Sequence, residues 1–288
     1  MTAIYKRELR AYFNSMTGWI FIAALSVFIG IYFTAYNLLS GYTYFSYALS
    51  ATLVVFMALV PVLTMRSLAE ERHSKTDQLL LTSPASLTGV VLGKYFAMLT
   101  VLAVPVLLAC LCPLIIRMNG TAHFKADYAT LLIYFLLAAV EIAIGMLISA
   151  LTESQVIAAV GTFCLLLVLY LWNGLISLLP TSAAGSLAGL LVVLVLVCLL
   201  LSALSGSWKL SGGVLVLGAA AIIALYSRDS GTFANLLPNA LGNFSLLDAF
   251  NSFASDHVFD VPGLLLYLSL IALLVFLTVQ VLQKRRWN

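Results

Sequence analysis

The chain has 288 residues, of which 63% are hydrophobic and only 9% are charged, and its mean hydropathy is +1.10. Soluble domains carry about 25% charged residues, so this composition excludes an ordinary soluble protein. The net charge of +3 is small and gives no reason to expect a nucleic-acid partner.

Eight apolar runs are long enough to consider as membrane crossings, since about 20 helical residues span a bilayer core of about 30 Å. They lack the alternation of membrane strands, so their backbone groups must be satisfied within helices. The sequence therefore predicts an all-α membrane protein, a polytopic bundle of about eight transmembrane helices. The runs are 19–39, 47–65, 89–116, 128–150, 156–178, 186–204, 210–227 and 262–283. Only SGSWK separates the sixth and seventh runs, so a re-entrant hairpin is an alternative there.

The orientation follows from Lys and Arg, which stay on the cytoplasmic side during insertion. With the N-terminus inside, eleven of the 14 basic residues lie on inner segments and three lie outside. Both termini are therefore predicted to be cytoplasmic. The inner residues are Lys6, Arg7, Arg10, Arg66, Arg72, Lys75, Lys94, Lys209, Lys284, Arg285 and Arg286, and the outer ones are Arg117, Lys125 and Arg228.

Residues 1–17 combine an apolar side with Lys6, Arg7, Glu8 and Arg10 elsewhere on the helix, a pattern typical of an amphipathic helix in the membrane interface. In the third run, Gly89 and Gly93 have the spacing that lets membrane helices pack closely. The start of the chain is thus predicted to be an interfacial helix.

The loop at 66–88 between the second and third runs is the most unusual segment. It reads RSLAEERHSKTDQLLLTSPAS over 66–86 and holds six of the chain's 25 charged residues. Thr76 and Asp77 are N-cap candidates for a short helix that carries three leucines and is stopped by Pro84. Charges that only enforce topology would need no acids, whereas an exposed leucine patch suits docking to a cytoplasmic partner.

Glu141 stands alone near the middle of the fourth run. A charge there costs about 2.5–3.5 kcal/mol on insertion scales, so the side chain must face protein or water. Two interpretations stay open, a polar contact on a transport path and a protonated carboxyl bonded to a neighbouring helix.

Residues 228–261 are predicted to form an outer cap, in which recurring Phe and Leu indicate an amphipathic helix. Asp256, His257 and Asp260 are a weak metal-ligand pattern, and we predict no metal site. The chain shows no catalytic motif and no phosphate-binding loop, since GVVLGKY has the wrong spacing and lacks the hydroxyl residue after lysine. It is predicted not to be an enzyme and to bind no cofactor itself.

The loop motif, the following GVVLGKY and three further stretches resemble the permease subunits of type-two ABC exporters, especially the gliding-motility and copper-processing group. Those stretches are KRELRAYFNSMTGWI, EIAIGMLISALTESQ and the segment from Asp260 to Trp287. The resemblance covers 1–175 and 245–288. Many members have six spans, so residues 180–227 are interpreted as an inserted helix pair within a single permease domain, 1–288.

The resemblance implies a coupling helix in the loop that docks on separate ATPase subunits, which would bind ATP and Mg²⁺. The implied docking residues are Glu70, Glu71, Thr76, Asp77, Leu79, Leu80, Leu81, Thr82 and Pro84. It also implies a second permease copy or a paralogue, contact with membrane lipids, and a bacterial plasma membrane. The nearly uncharged spans suit a hydrophobic or amphipathic substrate. The alternatives are an ATP-independent secondary transporter or channel, and a membrane enzyme or assembly factor.

Overall fold

A computed structural model describes residues 1–75, 86–205, 235–242 and 245–287. Within these ranges the regular structure is helical and contains no strand. The helices are α1 (Thr2–Asn14), α2 (Met16–Phe33, continued by a π-helical segment Thr34–Leu39), α3 (Ser46–Thr64), α4 (Ala69–His73), α5 (Leu87–Ala109), α6 (Cys112–Asn119), α7 (Phe124–Leu151), α8 (Gln155–Tyr170), α9 (Trp172–Ser177), α10 (Ala183–Ser205), α11 (Leu236–Gly242), α12 (Leu246–Ala254) and α13 (Val261–Trp287).

Five helical segments of the described chain are long and apolar enough to cross a bilayer. An all-helical membrane protein with several spans is therefore confirmed. The segments are Met16–Leu39, Ser46–His73, Leu87–Asn119, Phe124–Leu151 and Val261–Lys284.

The remaining three predicted runs have different outcomes. The fifth, 156–178, is broken at Leu171 into α8 and α9, and the 16 residues of α8 extend about 24 Å, which is less than the apolar thickness of about 30 Å. The sixth run lies within the single helix α10. The seventh, 210–227, lies outside the described residues.

The chain divides into two compact units, Met1–Val168 with Leu246–Asn288, and Leu169–Ser245. In the second unit, α11 packs against α9 and α10. The indole N–H of Trp172 donates to the carbonyl of Leu241 at 2.9 Å, and the amide of Asn235 donates to the carbonyl of Thr181 at 3.1 Å. These bonds connect α9, and the residues that precede α10, to the segment that contains α11.

In the first unit α7 is the central helix, and it packs against α3, α5, α12 and α13. In its most apolar stretch 67% of the residues are buried, against 22% for α13, so α13 keeps a broad apolar face on the surface of the chain. The hydroxyl of Tyr95 on α5 donates to the carbonyl of Ala139 on α7 at 3.0 Å. Polar side chains thus add hydrogen bonds between apolar helices, as is common in membrane bundles.

The amphipathic start of the chain forms α1, which packs against α5 and α2. Gly93 makes the approach possible, because a Cβ there would lie 3.2 Å from Cγ2 of Ile4 and 3.3 Å from the backbone nitrogen of Tyr5. The hydroxyls of Tyr5 and Thr100 are hydrogen-bonded at 2.9 Å. The predicted small-residue packing face on α5 is therefore confirmed, and α1 is the helix that it receives.

The predicted outer cap, 228–261, is divided between the two units. Its first described helix, α11, belongs to the second unit, whereas α12 packs on α7 and α13 with Phe250 and Phe253 buried. The ring of His257 stacks on Tyr44 with centroids 3.9 Å apart. Among the described residues no group of three His, Cys, Asp or Glu side chains is close enough to hold a metal ion.

Candidate functional site

The charged loop begins with a segment that we call the stem, residues 65–75. The structure describes the loop up to Lys75 and describes the chain again from Ser86. After α3 the backbone turns at Met65–Leu68 and forms the short helix α4, which carries Glu70 and Glu71. Seven of the nine predicted docking residues, namely Thr76, Asp77, Leu79, Leu80, Leu81, Thr82 and Pro84, lie outside the described residues. The coupling helix itself stays a prediction, and the structure describes how its stem is held.

Ser149, near the end of α7, holds the start of α4. The amides of Leu68 and Ala69 donate to its Oγ at 3.1 and 3.0 Å, and this hydroxyl donates to the carbonyl of Met65 at 3.2 Å. The first amides of a helix have no partner within the helix, and α4 has no side-chain cap of its own. A buried serine from α7 supplies the missing acceptor, so the start of the stem is bonded to the central helix.

Arg72 makes a second connection to the same end of α7. Its guanidinium donates to the carbonyl of Ala150 at 3.1 Å and to Oε1 of Glu153 at 2.9 Å. The Arg72 side chain is 9% exposed, whereas that of Glu153 is 72% exposed. Solvent screens the ion pair with Glu153. The hydrogen bond to the carbonyl of Ala150, at the end of α7, therefore contributes more to holding α4 against α7.

A four-residue charge cluster ties the stem to α1 and α5; we call it the Lys94 cluster. Nζ of Lys94 lies 3.1 Å from Oε1 of Glu8 on α1 and 2.8 Å from Oε1 of Glu71 on α4. Arg7 contacts the same two carboxylates at 2.6 and 3.1 Å. The two cations and two anions balance, and this balance makes the burial of Lys94 tolerable.

Exposure differs strongly within the Lys94 cluster. The side chain of Lys94 is 3% exposed, those of Glu8 and Glu71 are 13% and 18% exposed, and that of Arg7 is 55% exposed. The hydrogen bond to Glu8 raises the pKa of the Arg7 guanidinium above its usual value, against the opposing effect of burial. The cluster therefore has a buried ammonium at its centre and a solvated guanidinium at its edge.

The structure separates the two predicted docking residues that it describes. Glu70 is 53% exposed and remains accessible to a partner. Glu71 is bonded within the Lys94 cluster, an arrangement suited to positioning the stem. Sequence reasoning missed Glu8, Ser149 and the role of Lys94; the available signal for Lys94 was a lysine embedded in the apolar run that begins α5.

Glu141 lies on α7 within the first unit and is only partly exposed. Its Oε2 is enclosed and has no hydrogen-bond partner among the described residues. Tyr134 and Tyr267 lie close enough to Glu141 to interact with its charge. This placement leaves both interpretations of Glu141 open.

Together these features define a polytopic helical membrane protein whose charged loop stem is bonded to three other helices. Residues 2–187 match the model of a family described as "ABC-2 family transporter protein". Because the match covers more than half of the chain, the protein belongs to that family and is a membrane permease component of an ABC transporter. The family forms the transmembrane component and is not itself catalytic. No curated protein matches the chain.

Proposed function

We propose that the protein is the transmembrane subunit of an ATP-driven exporter in a bacterial plasma membrane. Separate ATPase subunits bind ATP and Mg²⁺, dock on the loop at 66–88 and drive export of a hydrophobic or amphipathic substrate. A second permease copy or a paralogue completes the path. Among subgroups of the family, the gliding-motility and copper-processing permeases are the proposed nearest group, on the motifs described above.

The observation that carries this proposal is the attachment of the loop stem. A force applied to the loop reaches α4, and α4 is bonded to α7 through Ser149 and Arg72. Through Glu71 it is also bonded to α5 and α1. Since α7 packs against four other helices of the first unit, a displacement of the stem is transmitted to most of that unit. A loop serving only chain reversal would need no such attachment, because 2–8 residues can join neighbouring helices.

The test is co-expression of the permease with a candidate ABC ATPase from the same organism, followed by purification of the complex. Replacing Leu79, Leu80 and Leu81 together by Ser is expected to abolish co-purification and the permease-dependent stimulation of ATPase activity. The matched control replaces three exposed apolar residues outside the stem, Leu39, Met118 and Val258, by Ser. Docking at this loop is wrong if the leucine variant co-purifies and stimulates as well as the control.

An ion-driven carrier is the second candidate, and the enclosed Oε2 of Glu141 is the observation that favours it. It is tested in proteoliposomes without any ATPase. Transport driven by a proton or sodium gradient and lost in Glu141→Gln would establish this candidate and overturn the ATP-driven one.

A further inference from the structure

A cavity of about 220 Å³ lies beside the loop stem, between α1, the beginning of α2 and the turn that leads into α4. Its walls include Glu8 and Tyr12 from α1, Thr17 from α2, and Arg66, Ser67 and Glu70 from the turn and α4. All of these belong to the first unit. The transport function assigns no role to this cavity.

Two opposite charges on the wall are incompletely paired. Nε of Arg66 lies 4.0 Å from Oε2 of Glu70, and the two side chains are 44% and 53% exposed. A charge-assisted hydrogen bond is much shorter, about 2.7–2.9 Å. Both groups therefore retain hydrogen-bonding capacity for a ligand that carries both signs of charge.

Neighbouring groups narrow the kind of ligand. Glu8 is bonded to Lys94 and Arg7, so its charge is already compensated and it needs no further partner. Ser67 is 4% exposed and its hydroxyl has no hydrogen-bond partner among the described residues, so it keeps an unused donor. Arg66 and Glu70 are then the two charged groups of the wall that a ligand can pair with, and one charge of each sign suits a zwitterion.

The surroundings of the cavity indicate the membrane interface. Trp19 follows the cavity residue Thr17 on α2, is 56% exposed, and donates its indole N–H to the carbonyl of Phe13 at 2.7 Å. Met16 and Ile20 on the same helix are 79% and 48% exposed. Tryptophan beside exposed apolar residues is typical of the level at which lipid headgroups lie. A zwitterionic group that reaches this cavity from the membrane is a phospholipid headgroup.

We propose that the cavity binds the headgroup of a phospholipid with a primary amine, of the phosphoethanolamine type. The phosphate accepts hydrogen bonds from the guanidinium of Arg66, and the ammonium group donates to the carboxylate of Glu70. A choline headgroup carries the same charges but has no N–H to donate, and a glycerol headgroup lacks the cation. The bound lipid would join α1, α2 and the stem at the edge of the bundle.

The experiment measures lipid binding to the purified full-length permease, delipidated in detergent, by native mass spectrometry. The probes are phosphatidylethanolamine, phosphatidylcholine and phosphatidylglycerol with identical acyl chains. We expect the ethanolamine lipid to bind about tenfold more tightly than either other lipid, a difference equivalent to about 1.4 kcal/mol. Because no ATPase is present, the result does not depend on the proposed transport function.

Two variants and a control identify the site. Arg66→Gln is expected to weaken all three lipids, and Glu70→Gln to lower the ethanolamine lipid to the level of the choline lipid. Arg10→Gln is the control, because Arg10 is exposed on α1 and is not part of the cavity wall.

Equal binding of the three lipids to the unmodified protein would overturn the proposal. So would a pattern in the two cavity variants that cannot be distinguished from the control. If Arg66→Gln leaves lipid preference unchanged but prevents co-purification with the ATPase, the cavity receives a protein partner and the lipid assignment is wrong.

Discussion

Replacing Lys94 by Met removes the buried cation that holds α1, α4 and α5 together. The variant keeps the volume and apolar stem of the side chain but leaves Glu8 and Glu71 facing each other. Both carboxylates contacted the ammonium group, at 3.1 and 2.8 Å. Their remaining cation is Arg7, which contacts both but is 55% exposed.

The magnitude follows from this geometry. Removing one partner of a fully buried ion pair costs about 3–5 kcal/mol, because the other charge is left without compensation. Here the two carboxylates are 13% and 18% exposed and Arg7 stays in place. Partial solvation and the second cation reduce the cost, and we expect Lys94→Met to destabilise the protein by about 1–3 kcal/mol.

The assay is thermal unfolding of the detergent-solubilised protein followed by tryptophan fluorescence. A decrease in Tm of several degrees is expected, since 1 kcal/mol shifts Tm by about 2–4 °C in domains of about 150–250 residues. The matched variant combines Lys94→Met with Glu8→Gln and Glu71→Gln. It should recover most of the lost stability, because it removes the unpaired charges along with the lysine.

Two results would refute this reasoning. A single Lys94→Met variant as stable as the unmodified protein would show that the cluster contributes nothing measurable. A triple variant no more stable than the single one would show that uncompensated charge on Glu8 and Glu71 is not the cause of the loss.

Three further changes test the attachment and orientation of the stem. Ser149→Ala leaves the amides of Leu68 and Ala69 without an acceptor. It should destabilise the protein by about 1–3 kcal/mol and speed hydrogen exchange at those two amides. Unchanged exchange would contradict the assigned bonds. Gly93→Leu should displace α1 and increase trypsin cleavage within it, whereas Gly30→Leu, with no atom within 4 Å of its Cβ position, should not; equal cleavage would argue against close packing at Gly93. Lys75→Cys should react with a membrane-impermeant thiol reagent in inside-out vesicles but not in intact cells, and labelling of intact cells would reverse the predicted orientation.

The membrane class and most of its helices could be predicted from the sequence because the length of an apolar run is a local property. A run of 20 apolar residues has few alternatives to a membrane helix in any fold. The fifth run shows the limit of this rule. Its hydropathy continues across Leu171, but the helix ends there, and the hydropathy of a window does not record a break in the backbone.

The loop at 66–88 shows a similar division. Its residue pattern alone indicated a docking element and carried the resemblance to ABC exporter permeases, and the family match supports that class. The pattern also grouped Glu70 and Glu71 as equivalent surface acids. The structure distinguishes them, because Glu71 lies beside Lys94 on α5, 23 residues further along the chain.

The sequence by itself therefore determined that the helices lie in lipid, which family the chain belongs to, and where along the chain the charged loop lies. Tertiary structure alone decided which charges meet and which hydroxyl caps α4. Ser149 accepts a hydrogen bond from the amide of Ala69, which lies 80 residues away in the sequence. The physical reason is that the length of an apolar run is a property of one segment. A buried ion pair, or a helix cap supplied by another helix, exists only when packing brings separate helices together.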